Sequence, residues 1–272
     1  MNPTRRNNNN IVSIWDHALP PTGSTPIIQP AIQQRKGSCA IAAVSTHIAY
    51  NLRISYAWHA PVCTALPPGM LINHEVWEDE IVSATGEKMK EIWELLEEAM
   101  INGAPLLNGL KLRIDQRFHF NLDENAMKTR LNFFTIVVVF NVHDDFSIDG
   151  ETPYMGRDAP TFIQGTVIQD THAVVLVGEY KDDSLFMGNE PKETLWIYQN
   201  SDGDKSRSML GNGLSVLRHS LIVEAYCGEI YGANEFLVDW AANRARPHRQ
   251  RARVQVNQAA GGAAGGAAGG SP

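Results

Sequence analysis

The chain has 272 residues, 43% of them hydrophobic and 19% charged, with a formal net charge of -7. That length and apolar content exclude a disordered chain and can bury a sizeable core in one domain or two joined lobes. The acidic balance argues against a dedicated nucleic-acid binder, and no apolar run reaches the roughly 18 residues of a membrane span. The three cysteines, Cys39, Cys63 and Cys227, are too few for a disulfide scaffold, and the odd count leaves at least one thiol unpaired. No CxxC pair exists, and the 9 histidines form no HxxH or HExxH pair, so neither a metal nor a cofactor is implied.

In chain order, residues 1–14 read as a leader that carries Arg5, Arg6 and a run of four asparagines, 7–10, and lacks the apolar core of a secretory signal. Residues 15–38 carry Pro20, Pro21, Pro26 and Pro30 and read as an extended loop. From Cys39 the pattern changes to a wide apolar face (Ile41, Val44, Ile48, Leu52) that predicts a buried helix, with Gly37 and Ser38 where a cap belongs. Residues 57–82 show no steady period. A second helix is predicted from about Gly86 to Asn102, where Met89, Ile92, Trp93, Leu96 and Met100 recur at helical steps and Gly103 supplies a stop.

Beyond about residue 130 the texture turns to strands: 133–142, 173–180, 194–199, 213–217 and 221–226, rich in β-branched and aromatic residues. His119, His143 and His219 read as strand or loop residues. Helices first and strands second predict an α+β fold. Residues 236–272, with five arginines followed by an Ala-Ala-Gly-Gly repeat, have too little apolar bulk for a core and read as a disordered tail.

Three polar residues stand out by their flanks. Cys39 opens the buried helix, where the positive end of the helix dipole favours thiolate. His172 leads the apolar run 173–178, and Asn200 ends the strand 194–199. Gln33 stands six residues before Cys39, in Gln33-Gln34-Arg35-Lys36-Gly37-Ser38-Cys39; His172-Ala173-Val174 and Asn200-Ser201 follow in order, with Trp15-Asp16 ahead as a looser match. In these motifs and their order, residues 15–235 resemble the papain-like cysteine peptidases.

The resemblance implies a two-lobed fold. A helical lobe (about 39–125) would carry the nucleophile, and a β-barrel-like lobe (about 126–235) would carry His172 and Asn200 across a cleft. It also implies a cysteine-type endopeptidase in which Cys39 attacks the peptide carbonyl and His172 protonates the leaving amine. Asn200 would orient the imidazole, and Gln33 with the Cys39 backbone N–H would form the oxyanion hole. The partner would be a peptide or protein substrate, with no nucleic acid and no membrane, and the protein a monomer.

The chain also departs from the family pattern. Ala40 and Asp202 stand where tryptophans are usual, the Gly-x-Cys-x-Gly-Gly segment has no counterpart, and Lys36 replaces a cysteine, so the usual disulfides of the helical lobe cannot form. The 38 residues before Cys39 leave no room for the usual inhibitory prosegment. Without a signal peptide the default compartment is the cytoplasm, although the family is mostly lysosomal, vacuolar or secreted. A competing reading is therefore a catalytically weak or inactive member that binds or regulates peptides or proteins. The substrate-pocket residues fall in the divergent stretch 57–85 and the loops around 143–170, where Asp144, Asp145, Asp149 and Glu151 read as a solvated acidic loop in preference to a site for basic substrates.

Overall fold

The computed structural model describes residues 11–14, 28–35, 38–59, 66, 68–86, 91–143, 146, 153–156, 162–163, 166–167, 170–201 and 209–231. Cys63, Trp15-Asp16, the Asp202-Gly203 pair, most of the acidic loop and the tail 236–272 lie outside the described residues.

The buried helix begins at the expected residue. Helix α1 (Cys39–His59) keeps nearly every residue from Ile41 to Ser55 away from solvent, because it runs between the other helices and the sheet. Helix α2 (His74–Thr85) occupies a stretch where no period was visible. Only Trp77 and Ile81 mark its inner face, too few to declare a repeat. Its boundaries are set by local chemistry instead: Asn73 accepts from the Val76 N–H, and Gly86 ends it in the left-handed region at φ 70°. Gly86, read in the sequence as the start of the second helix, therefore closes the preceding one. The second predicted helix is α3 (Ile92–Ile101), which buries Ile92, Leu95, Leu96 and Ala99.

The strand-rich half forms a seven-stranded sheet with order β10-β9-β8-β5-β11-β4 and β1 paired onto β8. Its members are β1 (Ile11–Ile14), β4 (Gln116–Phe120), β5 (Ile136–Val142), β8 (Asp170–Tyr180), β9 (Leu195–Gln199), β10 (Leu214–Arg218) and β11 (Ile222–Glu229), all antiparallel to their neighbours. Two small hairpins, β2 (Ala104–Pro105) with β3 (Lys111–Leu112) and β6 (Phe162–Ile163) with β7 (Thr166–Val167), lie outside it. Helix α4 (Glu124–Leu131), capped by Asp123, enters between β4 and β5.

The α+β class holds, with three refinements. β10 and β4 end the sheet without pairing to each other, so the described strands form an open sheet and not a closed barrel. β4 lies in the stretch read as helical, yet its main-chain groups pair with β11. Ile11–Ile14, read as part of the leader, forms a strand because its β-prone backbone finds Gly178, Glu179 and Tyr180 of β8. Among the described residues, no helix is long and apolar enough to cross a membrane.

The sheet core is aromatic and aliphatic: Phe140, Trp196, Tyr198 and Leu217 are fully buried, joined by Val138, Val174 and Leu176. Where Leu96 of α3 and Ile114 pack on β11, the close approach depends on Gly228. A Cβ there would stand 2.9 Å from Ile114 Cδ1 and 3.0 Å from Leu96 Cδ2. Gly228→Ala should therefore lower stability by about 1–3 kcal/mol, the usual cost of overpacking, read as a fall in the urea midpoint.

Candidate active site

The start of α1 is built by Ser38. Its carbonyl accepts the first helical bond from Ala42 N–H at 3.0 Å, while its own N–H and hydroxyl both turn back to the Arg35 carbonyl, at 3.0 and 2.8 Å. The Ser38 hydroxyl is thus spent away from the first turn of the helix, which also contains no acidic residue. The first-turn amides keep their pull on an anion. Cys39, half-buried, occupies that position.

Burial by itself pushes the Cys39 thiol up. Against it act a hydrogen bond from His172 and its charge, then the backbone amides of Ala173 and Ala40, and together they hold the thiol below its ordinary value. The amide from Ala173 comes with the strand that carries His172, so one element supplies both the imidazole and a second donor.

His172 is in β8, directly opposite Phe140 of β5. The β8–β9 register pairs Val175 with Gln199, and antiparallel continuation carries Asn200 toward the His172 end. His172 Nε2 lies 2.8 Å from Asn200 Oδ1. That same oxygen accepts from the Ser201 N–H at 2.8 Å, and a backbone N–H only donates, so the oxygen of Asn200 faces His172. Nε2 must therefore carry a proton, leaving Nδ1 as the ring nitrogen for the thiol. Asn200 is buried, and its own N–H donates to the Gly213 carbonyl at 3.0 Å.

Two phenyl rings wall the imidazole: Phe140 edge-on at 5.8 Å between centroids and Phe146 tilted at 5.6 Å. They exclude water from one side of the His172 ring.

The structure brings Cys39, His172 and Asn200 together. Gln33 is exposed, and its side-chain amide donates to the Gln34 carbonyl at 3.4 Å. The residue that ties this loop to the Asn200 strand is its neighbour, Gln34. Its N–H donates to the Ser201 carbonyl at 2.8 Å, and its side-chain oxygen accepts from the Ser201 hydroxyl at 2.5 Å. Gln34, Phe140 and Phe146 were not singled out in the sequence. Gln34 is masked by an identical neighbour, and the phenylalanines read as ordinary core. A further clamp comes from buried Gln199, whose Nε2 donates to the carbonyls of Gln29 and Asn212, both at 2.7 Å, while its oxygen meets the Tyr50 hydroxyl of α1.

Solved structures of several proteases are similar in fold to this chain. Bromelain from Ananas comosus, in complex with the E64 inhibitor, superposes with a TM-score of 0.56 at 14% identity over 80% of this chain and 98% of that one. Xylellain, a cysteine protease from Xylella fastidiosa, gives 0.53 at 15% over 85% and 95%. Digestive procathepsin L2 from Tenebrio molitor gives 0.52 at 17% over 85% and 77%. The chain has a papain-like fold. No family model matches it, and no curated protein matches its sequence.

Proposed function

We propose that the protein is a cysteine-type endopeptidase that hydrolyses peptide bonds through Cys39. The observation that carries this reading is the proton relay: a thiol held below its ordinary value, bonded to a histidine whose other nitrogen is fixed by Asn200. In the resting couple His172 holds a proton on Nδ1 and Cys39 is thiolate. The sulfur attacks the substrate carbonyl, and Nδ1–H passes its proton to the leaving amine as the C–N bond breaks. Water, deprotonated by the now neutral imidazole, then attacks the acyl group, the C–S bond breaks, and the thiolate–imidazolium couple is regenerated. The Cys39 backbone N–H at the helix start is suited to the developing oxyanion, and Gln33 is its proposed side-chain partner. The substrate is a peptide or protein, the chain acts as a monomer, and residues 15–235 with the paired strand Ile11–Ile14 form the peptidase domain.

Incubation with an epoxide peptide probe under reducing conditions tests this. Covalent labelling at Cys39, absent in Cys39→Ala, together with peptide hydrolysis, is the expected result. Unlabelled Cys39 and no hydrolysis would sink the proposal in favour of a binding module.

A further inference from the structure

The loop before the nucleophile is held on two sides by adjacent residues. Gln34 ties it to Ser201, as described. Arg35 points the other way, to α2: its Nη1 lies 2.5 Å from Asp79 Oδ1, and its Nε 3.7 Å from Glu78 Oε2. Asp79 is largely exposed, and a surface ion pair of that kind contributes little by itself. Glu78 is different. Its side chain is 1% exposed, and neither carboxylate oxygen has a hydrogen-bond partner.

A carboxylate removed from water needs a compensating charge. Among the described residues, the cationic groups within ion-pair range of Glu78 are Arg35 and His74, the latter at 3.7 Å. Burial holds His74 below its ordinary value, against the pull of Glu78. Among the described residues, Arg35 is therefore the permanently charged cation that Glu78 faces. The same residue's carbonyl receives both the N–H and the hydroxyl of Ser38, the residue immediately before Cys39. A continuous path of contacts runs from the α2 carboxylates, through one arginine, to the start of α1.

Resting on the peptidase reading above, we infer that Arg35 is a positioning residue for Cys39: an ionic staple from α2 that holds the nucleophile's loop by charge, in a lobe that cannot form the expected disulfides.

The test uses the full chain as wild type, Arg35→Gln, and the double variant Arg35→Gln with Glu78→Gln. Thermal midpoint and the pH dependence of Cys39 alkylation by iodoacetamide are read in each. Arg35→Gln should lower the midpoint and slow alkylation at pH 6 about tenfold, with the apparent thiol pKa rising. The double variant, which no longer buries an uncompensated charge, should recover the midpoint while alkylation stays slow. Recovery of alkylation along with the midpoint would overturn the proposal, because Arg35 would then serve only to neutralise Glu78. Wild-type alkylation in Arg35→Gln would overturn it too. If wild-type Cys39 titrates as an ordinary thiol, the peptidase reading fails, and amide hydrogen exchange at Ser38 and Cys39 decides the staple separately. Exchange about tenfold faster in Arg35→Gln supports it, and unchanged exchange rejects it.

Discussion

Replacing His172 with alanine should reduce peptide hydrolysis by about 10⁴- to 10⁶-fold and return the Cys39 thiol to ordinary behaviour. Both effects follow from one residue having two jobs. It supplies the largest favourable influence on the thiolate, and burial, which opposes the charge, remains after it is removed. Alkylation at pH 6, where an ordinary thiol is almost wholly protonated, should fall at least about tenfold. Asn200→Ala should act more mildly and on a different quantity. It removes the acceptor for Nε2–H at 2.8 Å, so kcat falls while the thiol keeps part of its depression. Equal losses in the two variants, or unchanged Cys39 alkylation in His172→Ala, would contradict the relay.

The second large effect concerns acid stability. His47, two helical turns after Cys39 on α1, sits fully buried in a closed ring of hydrogen bonds with Thr135, Asn51 and Gly228. Its Nε2 lies 2.7 Å from the Gly228 N–H and 3.1 Å from the Gly228 carbonyl. The N–H can only donate, so Nε2 accepts, and Nδ1–H donates to the Thr135 hydroxyl at 2.8 Å. Thr135 in turn gives its hydroxyl and N–H to Asn51 Oδ1, at 3.0 and 2.9 Å, and Asn51 Nδ2 closes the ring on the Gly228 carbonyl at 2.7 Å. Every member is satisfied only when His47 is neutral.

Burial pushes His47 down to about 3, with the Gly228 backbone opposing in part. A folded pKa below the unfolded one means that the unfolded chain binds the extra proton. The contribution is complete above the unfolded value of about 6.5 and is lost toward pH 3, by up to about 1.4 kcal/mol per pH unit. The denaturation midpoint should therefore fall steeply between those limits in wild type and less steeply in His47→Gln. Matching slopes would exclude His47 as the cause. Asn51→Leu, which strands the Thr135 N–H and the Gly228 carbonyl, should cost about 2–6 kcal/mol at pH 7.

The members of the proposed relay drew notice in the sequence because they are chemically rare at their positions. A cysteine at the start of a long apolar helix, a histidine heading an apolar strand and an asparagine ending another each stand out against their flanks. The strands around them were legible for the same reason: Ile136–Val142 is a run of β-branched and aromatic residues that only a doubly covered strand accommodates. Helix α2 was not legible, since two inward apolar residues and a buried Glu78 make no pattern. Nor was the His47 ring. His47 and Asn51 look like one polar step on an apolar helix, and their partners lie 88 and 177 residues further on. Contacts of that span are written in the register of β5 and β11 against α1, which no local period records.

The pairing of Ile11–Ile14 with β8 bears on how the protein is handled. β5 accompanies β8 only as far as Leu176, and β1 takes Gly178 to Tyr180 beyond it. Trimming the chain past Ile14 as a dispensable front would strip that stretch of its neighbour and leave main-chain donors and acceptors ready to recruit a strand from another molecule. A variant shortened in this way would report on self-association as much as on catalysis. Tags and fusions are better placed ahead of Ile11 than in exchange for it.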